Sequence, residues 1–144
     1  MFVRVLAATV AGAVVYYVVG FVLFAMVLDP IIRPHMNQFP GLIKEPMPDM
    51  LFLPLWNLAM AFLIAFVFEK WAGIRTFVGG LKAGALIMLL IALIIDLDLL
   101  AFMNMYKDAV APIIVIVAST FIGTLAAGVI GAVLGSMNRT PAAA

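Results

Sequence analysis

Two carboxylates, Asp96 and Asp98, lie inside an otherwise apolar run from Lys82 to Tyr106. Charge is costly in hydrocarbon, so an acid in such a run usually faces a bundle interior or water. There it exchanges protons, binds a cation or fastens helices together by hydrogen bonds. Two residues along a helix turn it by about 200°, so the two acids cannot share a face. In a straight helix Asp98 aligns with Gly80, and Asp96 with Ala85 and Ala92, which leaves open which acid points inward. Other chemistry finds no residues to carry it. No pair of carboxylates is set for hydrolysis, the single histidine, His35, falls in a different segment, and no glycine-rich element follows a strand. No catalytic residue, cofactor or metal is assigned, and nothing points to an enzyme.

The elements that must position these acids follow from composition. Of 144 residues, 67% are hydrophobic and 10% charged, and the mean hydropathy is +1.28. A water-soluble domain is roughly half apolar and a quarter charged, so this chain has too little polar surface to cover a globule. Its solvent is the lipid bilayer, and its length suits one domain. A net charge of +1, with the basic residues scattered singly, gives no footprint for nucleic acid. With no cysteine there is neither a disulfide framework nor a thiolate site.

The expected fold class is all-α: a polytopic membrane protein with a bundle of four transmembrane helices, over residues 3–28, 50–70, 82–106 and 110–137. The first run follows Arg4 and is too long for a signal-peptide core, so it reads as an uncleaved span. Trp56 and Trp71 sit near the two ends of the second, where amphipathic rings prefer the interface. Small residues recur every four positions and let helices approach closely. The rows are Ala8, Gly12, Tyr16 and Gly20 in the first span, and Asn57, Ala61 and Ala65 in the second. In the third they are Gly84, Met88, Ala92 and Asp96, with Gly80 one turn earlier. In the fourth they are Ser119, Gly123, Ala127, Gly131 and Gly135.

Residues 29–49 carry Pro30, Pro34, Pro40, Pro46 and Pro48 among charged side chains. Proline at this density argues against helix and for one long loop. His35 with Asp29, Glu45 and Asp49 matches no metal-ligand spacing. Met26, Met36, Met47, Met50, Met103 and Met105 collect at the same end, where thioethers suit Cu(I) but serve more often as gap-fillers in apolar packing. Residues 138–144 read as a short polar tail without order.

Sidedness comes from the basic residues. Arg4, Lys70, Arg75, Lys82 and Arg139 fall on one face, and Arg33, Lys44 and Lys107 on the other. The positive-inside rule then expects both termini in the cytoplasm and the proline-rich loop outside. At about 1.5 Å per residue, Asn57, Asp98, Ser119, Asp96 and Tyr16 lie roughly 10 to 18 Å from the outer ends of their spans. Each span therefore contributes to one polar layer, a possible ion or solute site.

Some stretches also carry a resemblance. They are Lys44-Glu45-Pro46, the run from Phe68 to Phe77 (FEKWAGIRTF), Gly79-Gly80-Leu81-Lys82-Ala83-Gly84, and the region around Asp96. In this order the chain resembles a group of small, uncharacterised four-helix bacterial membrane proteins. The resemblance implies the bacterial inner membrane and carries over no catalytic residue. The expected role is structural: an oligomer, or an accessory subunit of another membrane protein, acting through helix packing. The alternative is a small ion- or proton-coupled transporter or channel, with Asp96 or Asp98 as the exchanging group.

Overall fold

The computed structural model describes residues 2–42, 44 and 48–137. It contains four helices long and apolar enough to cross a membrane: α1 (Phe2–His35), α2 (Phe52–Ala72), α3 (Phe77–Phe102) and α4 (Val110–Ser136). There is no strand among the described residues, only an isolated antiparallel bridge between Met36 and Tyr106. Ile43, Glu45, Pro46 and Met47, and residues 138–144 with Arg139, lie outside the described residues.

The helix ends depart from the sequence reading, and local chemistry explains each departure. α1 does not stop at residue 28 but continues through two of the prolines to His35. Its middle, Phe21–Leu28, is π-helical, followed by an α turn at Asp29–Ile32 and a 3-10 turn at Arg33–His35. In each of these two turns the proline occupies an opening position, where its missing N–H costs no helical bond. The wider π turn ahead of Pro30 also makes room for a ring that, in a regular α-helix, collides with the carbonyl four residues back. Asp49 Oδ1 accepts from the Leu51 and Phe52 amides and so caps the start of α2. Gly73, at φ +63°, closes its far end, with the Ile74 amide returning to the Phe68 carbonyl at 3.2 Å. α3 starts at Phe77, ahead of residue 82, because Thr76 caps it through the Gly79 amide at 3.0 Å. It ends at Phe102, short of 106, where Met103 turns extended.

α4 is the common partner. It packs along α3, along α1 and more lightly on α2, and α1 also packs along α2; the one extended interface of α3 is with α4. Lipid tails are as apolar as leucine, so burial of side chains such as Ile64, Phe68, Ile130 and Leu134 does not by itself favour helix over lipid. Close approach does. A Cβ on Gly80 would fall on the backbone of Ala127, and one on Gly84 on the Ala127 methyl. One on Gly131 would stand 2.5 Å from the Thr76 carbonyl, and one on Gly135 would strike the Arg75 carbonyl. The nearest atoms to a Cβ on Gly123 belong to the Met88 side chain, and those to one on Gly12 to Ile130 and the Ala61 methyl. Gly20 differs from the other glycines of the rows: nothing lies within 4 Å of where its Cβ would be, because the helix beside it has opened into a cavity.

Candidate functional site

Asp96 and Asp98 are separated by the fold. The buried row of α3 is Gly80, Gly84, Met88, Ala92 and Asp96. Each step of four residues overshoots a full turn by about 40°, so four steps carry Asp96 about 160° from Gly80. The straight-helix alignment of Asp98 with Gly80 therefore does not place it inside. Asp96 is 2% exposed, whereas Asp98 is exposed on the opposite side of the helix, beside Ile94, Ile95, Leu97 and Phe102.

Asp96 has one side-chain partner, Tyr106, whose hydroxyl donates to Oδ1 at 2.8 Å. Burial pushes the Tyr106 phenol up, and its bond to Asp96 pushes it further. Tyr106 is held in place by a clasp between the end of α1 and the α3–α4 turn. The Asn37 amide donates to the Met105 carbonyl and the Lys107 amide to the His35 carbonyl, both at 2.9 Å, on either side of the Met36–Tyr106 bridge. Side chains complete the clasp. His35 Nδ1 donates to Asp108 Oδ2 at 2.7 Å, Lys107 Nζ to the Pro34 carbonyl at 3.0 Å, and Asn37 Nδ2 to the Asn104 carbonyl at 2.9 Å. The bonds from His35 and from the Val110 amide hold the Asp108 carboxyl below the usual carboxylate range. The other loop charges are also engaged: Asp29 with Arg33 at 3.0 Å, and Asp49 with Lys44 at 2.8 Å, which lowers Asp49. His35, Asp29 and Asp49 thus face three different partners, and Glu45 lies outside the described residues.

Tyr16, Asn57 and Ser119 come together elsewhere, around a cavity of about 270 Å³ between α1, α2 and α4. The rings of Tyr16, Tyr17, Phe21, Phe24 and Trp56 make most of its wall, and neither Asp96 nor Asp98 lines it. The five residues expected in one layer therefore divide into a cavity of three, a covered acid and an exposed acid. Tyr16 and Trp56 meet edge to face at 6.4 Å, and the Tyr16 hydroxyl donates to Met88 Sδ at 3.1 Å. Asn57 is 3% exposed and donates through Nδ2 to the Leu53 carbonyl at 2.9 Å.

No protein family, curated protein or solved structure matches this chain.

At the far end of the bundle a third cluster joins helices. Glu69, in the π-helical last turn of α2, has a side chain only 2% exposed. Its Oε1 meets Arg4 Nη2 at 3.2 Å and its Oε2 meets Arg75 Nη2 at 3.2 Å, the latter without hydrogen-bond alignment. Two guanidiniums from α1 and from the α2–α3 turn thus enclose one acid. Reading the sequence for charge counted Arg4 and Arg75 on one face but passed over Glu69. The available signal was an acid at the end of an apolar span, next to the most basic turn of the chain. The clasp left no comparable signal, since its two halves lie about seventy residues apart.

Proposed function

We propose that this chain is a helix-packing subunit of the bacterial inner membrane, with both termini in the cytoplasm and the loop after α1 outside. It acts as an oligomer or as an accessory to another membrane protein. Asp98 carries this reading. An acid on the exposed side of a spanning helix is a rare and costly arrangement, and it stands on the outward face of α3, whose one extended interface is with α4. A neighbouring helix that brings a hydroxyl, an amide or a cation to that depth removes the cost. Asp96 supports the same role, because its bond to Tyr106 ties α3 to the clasp rather than opening toward a conduit. The transporter reading would need water to reach Asp96, and the aromatic cavity does not include it.

The chain has no cysteine, so single cysteines report cleanly. Cysteine at Ile94 or Leu97, on the exposed face of α3, is expected to cross-link in native membranes with a bifunctional maleimide. Cysteine at Val10 or Val14, exposed on α1, is not. A product of twice the mass identifies a second copy, and a discrete heavier product identifies another subunit. Absence of any product from the α3 face, with free thiols still reactive, overturns the proposal.

A further inference from the structure

The aromatic cavity has a feature that packing alone does not require. Hydroxyl side chains within these helices return to their own backbone. Thr9 donates to the Val5 carbonyl, Thr120 to Ile116 and Thr124 to Thr120, each at 2.7 Å, and Ser136 to Val133 at 2.9 Å. Ser119, which lines the cavity, makes no such bond and has no hydrogen-bond partner among the described residues, although the Val115 carbonyl lies one turn back. Asn57 is likewise half committed. Its Nδ2 is engaged by Leu53, and its Oδ1 accepts no hydrogen bond among the described residues. A hydroxyl residue and a carboxamide residue therefore line a space otherwise walled by aromatic and aliphatic groups, the pattern of a small-molecule site.

The walls also specify what fits. Among the described residues no lining side chain is charged, so none of them offers a counter-ion to a phosphate or carboxylate headgroup. Tyr17, Phe24 and Trp56 offer ring surface, and the bare backbone at Gly20 leaves space beside the π-helical stretch of α1, a kind of distortion frequent at functional sites. We infer that the cavity binds a neutral, membrane-soluble ring bearing a hydroxyl, a phenol or hydroquinone. Its O–H donates to Asn57 Oδ1 and its oxygen accepts from Ser119. The site is formed by α1, α2 and α4, so it is independent of the α3 face and of any partner there.

Trp56 makes the site measurable. In a Trp71→Phe background it is the sole tryptophan, and a brominated ligand seated beside it quenches its fluorescence. The probes are para-bromophenol and bromobenzene, which differ by the hydroxyl, titrated into protein in lipid nanodiscs. Para-bromophenol is expected to quench saturably and to bind more tightly than bromobenzene. Ser119→Ala should weaken the phenol roughly threefold to tenfold and leave bromobenzene unchanged. Gly20→Leu, which fills open space, should remove the saturable component for both. Quenching that is linear with concentration and the same in all variants overturns the site. Saturable quenching in which Ser119→Ala leaves the ratio of the two affinities unaltered overturns recognition of the hydroxyl.

Discussion

The 2.8 Å bond from Tyr106 to Asp96 is a polar contact between the buried face of α3 and the clasp, and its worth can be read by substitution. Asparagine keeps an acceptor at that position but cannot ionise, so Asp96→Asn should fold as well as the parent. Asp96→Leu and Tyr106→Phe should each lower stability in detergent by about 1 to 2 kcal/mol, and the double variant should cost little more than either alone. Full additivity would show that the two residues act separately, and loss of a pH-driven flux in well-folded Asp96→Asn would favour the transporter reading. A second expectation belongs to Asp108. Its carboxyl is held low in the folded state, so its contribution is complete above the ordinary carboxylate value of about 4 and disappears as pH falls through the depressed one. Hydrogen-exchange protection of the Asn37 and Lys107 amides, relative to intrinsic rates, should be level near neutrality and fall in acid. Asp108→Asn should abolish that acid dependence. At this scale the sequence marks Asp96 and Asp98 as the acids within an apolar run but not how they divide, and it leaves Glu69 and Asp108 unmarked. A straight helix and a four-residue packing row predict different inward residues, and only the contact with α4 chooses between them.

Among elements, the α3–α4 contact distinguishes glycines that look alike in sequence. Gly131 faces a backbone carbonyl, which cannot move without shifting a helix end, whereas Gly123 faces the flexible Met88 side chain. Gly131→Ala should therefore destabilise the bundle clearly. Gly123→Ala should cost less, since Met88 can swing and alanine gains about 1 kcal/mol of helix propensity over glycine. Gly20→Ala, with nothing nearby to meet, should be neutral or stabilising. Thermal melts of the three variants check the order, and an equal loss at Gly20 and Gly131 contradicts it. The four-residue rows made the packing faces visible in advance, because small side chains at that spacing have little other use. They did not reveal the π-helical stretch, which removes Gly20 from its row, nor the continuation of α1 through Pro30 and Pro34. Both depend on where the helix changes its hydrogen-bond step, and residue types mark such a change only faintly.

For the whole molecule, the division into four apolar helices was legible from composition and run length, since hydrocarbon admits only helices or closed barrels and the apolar runs are long enough for helices. The order of packing was not, because apolar faces that meet protein and apolar faces that meet lipid are written in the same residues. Sidedness is open to direct test. Cysteine at Phe39, in the loop after α1, is expected to react with an impermeant maleimide added to intact cells, and cysteine at exposed Lys70 only after the membrane is permeabilised. The opposite pattern reverses the proposed orientation.

The bridge between Met36 and Tyr106 also bears on biogenesis. Its halves leave the ribosome about seventy residues apart, with α2 and α3 made in between. It closes once both of those helices have crossed and returned the chain to the side of Met36, and a single crossing prevents it. A chain in which only one of the two has crossed leaves Tyr106 across the bilayer from its partner and Asp96 uncovered. The bridge is thus a contact that a chain with a single misplaced crossing cannot make, and its absence distinguishes such a copy from a finished one.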